Sequence, residues 1–288
     1  MLITGKTRVC AIIGEPVEHS LSPLMQNAAF QALRIDCVYV PFRVPSSCLR
    51  DAVHGFRSQG VLGFNVTIPH KIKIIKYLAE LHPLARNIGA VNTVLNTKTG
   101  LVGYNTDAMG VIEALRRKRV RLNDSTVTIL GAGGAARAIV YALVETAHRI
   151  VVLNRTRRKA RKLKRDLERR LGRQIEIGDL TRKSLAEALR ATDLLINATS
   201  IGMNGEDSPL PISQADLQQH LTVLDIAYGR SETELLRKAR RSGCRTIGGI
   251  EMLLHQGAAA FEIWTGMKAP LTTMRNALAC AKPGGGSR

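Results

Sequence analysis

The 288-residue chain predicts an α/β protein of two domains, at least one of them a parallel sheet doubly wound by helices. Three observations carry that expectation. Short β-branched or apolar runs alternate with helix-length segments along the chain. An apolar share of 45% is enough to fill real cores at this length. Residues 126–158 (TVTILGAGGAARAIVYALVETAHRIVVLNRTRR) read as strand, glycine turn, helix and strand in immediate succession.

That last stretch organises the rest. Val127-Thr128-Ile129-Leu130 leads into Gly131-Ala132-Gly133-Gly134-Ala135-Ala136, an Ala-rich helix runs to about residue 147, and residues 150–153 form the second strand. This is the G-x-G-x-x-G/A dinucleotide fingerprint of a Rossmann-type unit, with a strand before it and a helix after. Gly131 permits the tight turn, Gly133 lets the backbone approach a pyrophosphate, and Ala136 allows close helix–strand packing. The N–H groups from Gly131 to Ala135, Ala132 and Gly134 included, together with the helix dipole, supply the anion site. An NAD site usually places Asp or Glu about 20 residues beyond the glycines, at the end of the second strand. Here Asn154 stands there with Arg155, Thr156 and Arg158, and no carboxylate occurs until Asp166. Guanidinium forks and a hydroxyl hold a 2′-phosphate that a carboxylate would repel, so the expected cofactor is NADP.

No apolar run is long enough for a transmembrane span, and no cleavable signal precedes the first one, at residues 9–13. The five cysteines are scattered and without a C-x-x-C pair, which suits a reduced cytoplasm and argues against a metal site. The formal net charge of +19 is concentrated in residues 116–121 and 155–173. Basic runs without interleaved aromatics favour solvated helix faces over a nucleic-acid interface. No membrane or nucleic-acid partner is therefore expected; a small anionic substrate is, and a homodimer is compatible.

In chain order, residues 8–14 read as a buried strand. Ser20 and Ser22 precede a helix whose stripe is Met25, Ala28, Ala29, Ala32 and Leu33, with Pro23 at its first position. Ser22 there suits a helix cap, and two hydroxyls at a helix start also suit a carboxylate receptor. Strands are expected at 37–44 and 60–67, a helix at 46–57, and another helix opening at Ile68-Pro69-His70-Lys71. A hairpin of 90–95 and 101–105 places Asn92 in its first strand. Asp107 lies at the mouth of a helix from Ala108, where it could serve only as an N-cap. Later strands are read at 174–177, 193–198, 222–228 and 245–249. The loop Thr199-Ser200-Ile201-Gly202-Met203 falls where a cofactor crosses the carboxyl ends of the strands. Helices are read at 232–241, 250–265 and 270–281, before a flexible tail, Pro283-Gly284-Gly285-Gly286. On the 250–265 helix, Met252, Leu253, Gln256, Ala260 and Ile263 share a face that core packing explains, except that Gln256 is polar.

Seven motifs in register resemble those of the shikimate dehydrogenases, from about residue 8 to residue 281. They are Gly14-x-Pro16-Val17-x-His19-Ser20-x-Ser22-Pro23, Asn65-Val66-Thr67-x-Pro69-x-Lys71, Gly89-Ala90-Val91-Asn92-Thr93 and Asn105-Thr106-Asp107; then the glycine fingerprint with Asn154-Arg155-Thr156, Asn197-Ala198-Thr199-Ser200, and Gly249-x-x-Met252-Leu253-x-x-Gln256-Gly257-Ala258. The resemblance implies that Lys71 and Asp107 are the catalytic pair. It implies that Ser20 and Ser22 bind the substrate carboxylate, Tyr228 reaches the same side, and Thr67, Asn92 and Gln256 bond the ring hydroxyls. It extends the cofactor set to Thr199, Gly249 and Met252. It further implies NADPH-dependent reduction of 3-dehydroshikimate to shikimate, without metal, in a cleft between two domains. Residues 107–249 would form the NADP domain and residues 1–106 the substrate domain, completed by C-terminal helices at 250–288. One departure is Tyr228-Gly229-Arg230, where the family has tyrosine-x-proline.

Overall fold

The computed structural model describes residues 2–202, 210–229 and 232–280; Met203, Arg230, Ala281 and the Pro283-Gly284-Gly285-Gly286 tail lie outside them. The chain divides into two compact units, Met1–Met109 with Leu253–Arg288, and Gly110–Met252.

The first unit is built on a mixed six-stranded sheet. Its strands are β1 (Arg8–Gly14), β2 (Cys37–Arg43), β3 (Gly63–Val66), β4 (Glu80–Leu81), β5 (Thr93–Thr97) and β6 (Gly100–Tyr104), in the order β2-β1-β3-β5-β6-β4. β1 pairs in parallel with β2 and β3, whereas β5 runs antiparallel to both β3 and β6. β1 is buried from Cys10 onward, which is why it reads as an unbroken apolar run rather than an alternating one. Around the sheet lie α1 (Ser22–Ala32), α2 (Leu49–Ser58), α3 (Pro83–Ile88) and the start of α4 (Asp107–Arg117), with most of α9 (Gly249–Thr265) and α10 (Leu271–Cys280). One core cluster joins Ala11, Ile13, Leu49, Val53, Phe64 and Ile74. Gly63 has a packing reason. A Cβ there would run into the indole of Trp264, whose Nε1 donates to the Val94 carbonyl at 3.0 Å.

The second unit holds an all-parallel sheet: β7 (Thr126–Leu130), β8 (Arg149–Asn154), β9 (Glu176–Asp179), β10 (Leu194–Asn197), β11 (Thr222–Asp225) and β12 (Arg245–Gly248). The order β12-β11-β10-β7-β8-β9 reverses direction between β7 and β10, the topological switch point where dinucleotides bind in this architecture. Its further helices are α5 (Gly134–Leu143), α6 (Arg157–Leu171), α7 (Arg182–Leu189) and α8 (Glu234–Arg241). The basic run at 155–173 is largely α6. Only Ala160, Leu163 and Leu167 are buried on it, an i, i+3, i+7 stripe toward the core.

Five sequence expectations shift. The helix expected from Ile68 is a turn followed by a short 3₁₀ segment, Lys73–Tyr77, because buried His70 bonds the Val44 carbonyl at 2.6 Å and β-branched Ile72, Ile74 and Ile75 favour helix weakly. Ser22 is the first residue of α1 rather than its cap, and the buried face is Ser22, Met25, Gln26, Ala29 and Phe30, leaving Ala32 exposed. Asn92 precedes β5 instead of lying within a strand. β3 is confined to Gly63–Val66, since Gly60 turns the chain at φ 68. The strand expected over 222–228 stops at Asp225, whose Oδ1 accepts from the Ala227 N–H at 3.0 Å and bends the chain away.

In the second unit, Arg137 of α5 is 3% exposed and donates to Asp166 of α6 at 2.8 Å. Burial tends to raise the Asp166 carboxyl, but bonds from Arg137 and Lys162 outweigh it and hold the group below its ordinary 3.8. Its stabilisation is therefore fully present above that pH and is lost as pH falls through the depressed folded value. Asp166→Asn is expected to cost about 3 kcal/mol at neutral pH by leaving a buried guanidinium unpaired. Urea denaturation should show that difference shrinking as acid protonates Asp166 in the unaltered chain.

Candidate active site

The first unit gathers Lys71, Asn92, Thr106, Asp107 and Gln256 into one hydrogen-bonded group. Lys71 Nζ donates to Asp107 Oδ2 at 2.6 Å, with side-chain exposures of 16% and 4%. Asn92 Nδ2 donates to the other carboxylate oxygen, Asp107 Oδ1, at 2.9 Å. The same amide lies 2.9 Å from Thr106 Oγ1 and 3.2 Å from Gln256 Oε1. Its oxygen is fixed by the Thr106 backbone N–H at 2.8 Å and by the Thr93 hydroxyl at 3.1 Å. A backbone N–H can only donate and a carboxylate only accept, so the Asn92 amide has one permitted orientation. Asp107 is no N-cap. Asn105 Oδ1 accepts from the Asp107 and Ala108 N–H groups at 3.0 and 3.4 Å, which leaves the Asp107 carboxylate to face Lys71 and Asn92. An ammonium that is mostly buried against a nearly dry carboxylate is suited to proton exchange with a substrate oxygen.

Ser20, Ser22 and Thr67 belong to the same unit but share no hydrogen bond with this group among the described residues. Ser20 Oγ accepts from the Ser22 N–H at 3.3 Å, which sets the entry to α1. Ser22 is buried and Ser20 half-buried. Thr67 follows β3, and its methyl occupies the place that a Cβ on Gly14 would fill, so β1 must end in glycine there.

The second unit carries the cofactor candidates. Gly131 has φ 107, and a Cβ there would approach the Ala198 carbonyl oxygen to 2.9 Å; Gly133 would place one in open space. Gly133 precedes α5 without any side-chain cap, so the first N–H groups of that helix, from Gly134 and Ala135, point outward unclaimed by a cap. Ala132 and Ala136 are buried beneath the loop. This is the shape and polarity a pyrophosphate requires. Asn154 Nδ2 donates to the Thr156 carbonyl at 2.9 Å and shapes the turn into α6, where Thr156 makes no cap bond. Arg155 and Arg158 are exposed and make no ion pair among the described residues, whereas neighbouring Arg157 reaches Asp179 at 3.4 Å. Asp166, the first acidic residue beyond the turn, is spent on Arg137. The residues present therefore fit NADP.

Thr199 sits in the loop after β10, with its Cγ2 beside Gly131. Its hydroxyl donates to Asn197 Oδ1 at 2.7 Å, and Asn197 Nδ2 donates to Asp225 Oδ1 at 2.8 Å. Burial pushes the Asp225 carboxyl up, against the bonds from Thr233, the Ala227 N–H and Asn197 that favour its charge. Tyr228 is half-buried three residues past β11, in the second unit. Gly249 is required by contact, since a Cβ would meet the Ile226 carbonyl at 2.5 Å, and Met252 is packed in the core. The candidates missed from sequence are Asn105, Thr106, Asn197 and Asp225. All lie in or near motifs that were visible, but their roles depend on bonds between distant segments.

Three family descriptions match in succession: shikimate dehydrogenase substrate binding domain over residues 12–94, shikimate / quinate 5-dehydrogenase over residues 113–239, and shikimate 5′-dehydrogenase C-terminal domain over residues 249–279. The chain is 44% identical over 279 residues to a shikimate dehydrogenase (NADP(+)) of Methanothermobacter thermautotrophicus, covering 96% of this chain and 98% of that one. It is 46% identical over 266 residues to the enzyme of the same name from Methanocella arvoryzae, covering 92% and 96%. Among solved structures, a shikimate dehydrogenase in complex with NADP+ superposes with a TM-score of 0.89 at 40% identity, covering 97% of each chain.

Gly131→Ala is expected to weaken dinucleotide binding about tenfold or more, because the new methyl forces the turn away from Ala198 while φ remains in the left-handed region. Calorimetric titration with NADP+ would measure it.

Proposed function

Because the chain belongs to the shikimate dehydrogenase family, we propose that its activity is the reversible, NADPH-dependent reduction of 3-dehydroshikimate to shikimate, in aromatic amino-acid biosynthesis, with Lys71 and Asp107 as its catalytic pair. The observation that carries the catalytic assignment is the 2.6 Å contact between Lys71 and a carboxylate that Asn92 holds from its other oxygen.

When bound, NADPH supplies a hydride to the carbonyl carbon of the substrate. As the carbon–oxygen double bond opens, negative charge gathers on the oxygen, and Lys71 Nζ gives it a proton. In the reverse direction Lys71 takes the hydroxyl proton as the C–H bond breaks. Asp107 accepts from Lys71 and so orients the ammonium; its carboxylate also receives a hydrogen bond from the reacting hydroxyl. Asn92, Gln256 and Thr67 bond the remaining ring hydroxyls, and Ser20 and Ser22 hold the carboxylate, with Tyr228 on the same side. Arg155 and Arg158, with Asn154 and Thr156, take the 2′-phosphate. The glycine loop from Gly131 to Ala135 would hold the pyrophosphate, and Thr199, Gly249 and Met252 would complete the cofactor site. The five free thiols accord with a reducing cytoplasm.

The test is a spectrophotometric assay of nicotinamide reduction with shikimate or quinate, each paired with NADP+ or NAD+. Turnover is expected chiefly with shikimate and NADP+; comparable turnover of quinate with NAD+ would overturn the assigned specificity. Lys71→Ala should lower kcat by about 10²-fold or more, the usual range for a general acid–base residue. Arg155→Ala should raise KM for NADP+ about tenfold and leave KM for NAD+ unmoved, since it removes a charge-assisted bond to the phosphate alone.

A further inference from the structure

Asparagine, threonine and aspartate stand in a row at 105–107, and only the last has a role in the chemistry above. Aspartate is among the best helix-capping residues, and at the start of a helix its carboxylate readily bonds nearby backbone N–H groups. A carboxylate used in that way would be turned from Lys71. Yet Asp107, the first residue of α4, does not do this.

We propose that Asn105 is a positioning residue for the reaction, capping α4 in place of Asp107 so that the Asp107 carboxylate is free to hold Lys71. The proposal rests on the reading of Lys71 and Asp107 as the catalytic pair. Asn105 Oδ1 accepts from the N–H groups of Asp107 at 3.0 Å and Ala108 at 3.4 Å. Its Nδ2 donates to the Ala90 carbonyl at 2.9 Å. A carbonyl can only accept, so this bond fixes which end of the amide faces the helix. Asn105 is 4% exposed, which leaves little room for water to replace either bond.

The anchor is shared. Ala90 holds Asn105, the adjacent Val91 N–H donates to the Lys71 carbonyl at 2.8 Å, and Asn92 donates to Asp107 Oδ1 at 2.9 Å. Three consecutive residues thus fix the backbone of the lysine, the cap of the helix and one oxygen of the aspartate. Asn105 is the member that decides what the Asp107 carboxylate is used for.

A double-mutant cycle tests this. Asn105→Ala in the otherwise unaltered enzyme should lower kcat about tenfold, with KM for NADP+ unchanged, as a displaced catalytic group does. Asn105→Ser, which keeps a capping acceptor but loses the tie to Ala90, should stay within about threefold of the parent. In an Asp107→Asn background, already slow, Asn105→Ala should cause no further fall, because its effect passes through the missing carboxylate. An equal fall in both backgrounds, an unchanged kcat, or a serine variant as slow as the alanine one would each overturn the proposal. If the alanine variant does not fold, Asn105→Gly serves in its place, since glycine is well tolerated at helix caps. Full activity of Asp107→Asn alone would instead overturn the catalytic reading, and this proposal with it.

Discussion

A carboxylate that is 4% exposed cannot stand alone, and Asp107 is the group around which the first unit is arranged. Lys71 meets one of its oxygens and Asn92 the other, so charge and lone pairs are satisfied within the fold. Those partners come from widely separated stretches: the turn after β3, the approach to β5 and the start of α4. The antiparallel pairing of β5 with both β3 and β6 brings the three together. Deeper in, Tyr39 donates to Asn65 at 2.7 Å and Asn65 to Thr93 at 3.0 Å, and Thr93 donates onward to Asn92. A buried polar chain is tolerable when each member is satisfied, and here it gives Asn92 a rigid footing.

The second unit solves a related problem with a different carboxylate. Asp225 lies at the end of β11 with no exposed surface, and it receives Asn197, Thr233 and the Ala227 N–H. Through Asn197 it reaches Thr199, which lies against Gly131. The loop after β10 is thus tied to the strand beside it and packed on the glycine turn after β7. A dinucleotide needs that floor to be set before it arrives, because a floor that had to order itself on binding would subtract from affinity.

Much of this was legible in the primary sequence, for local reasons. The glycine fingerprint declares itself because φ 107 at Gly131 and its close approach to the Ala198 carbonyl leave few alternatives to glycine, while Gly133 leaves the approach to the loop open. The cofactor preference was readable at Asn154 and Arg155 because the relevant contrast is the presence or absence of a carboxylate at one strand end. The turn at Lys71 was misread as a helix because the bond from His70 to Val44 joins segments far apart in sequence. The role of Asn105 as the cap of α4 is not legible in the sequence, because Asn105 and Asp107 are both good caps and the choice between them is made by Ala90 and Lys71 from other segments. Helix α1 and the inward positions of Met25 and Ala29 are legible, but alanines at Ala28 and Ala32 carry too little apolar weight to fix the rotation, and the buried face takes in Ser22, Gln26 and Phe30 instead.

Helix α6 separates two jobs that many helices combine. It packs inward by Ala160, Leu163 and Leu167, while most of its long basic side chains project into solvent. Apart from Arg158, assigned to the cofactor phosphate, and Asp166 with Lys162, which serve the buried Arg137, the exposed positions of α6 lie away from its buried stripe, so part of its charge can drift through evolution, or be rewritten by an engineer, with little effect on folding. Part of the chain's positive charge, unlike its catalytic centre, is therefore an adjustable property of that helix surface.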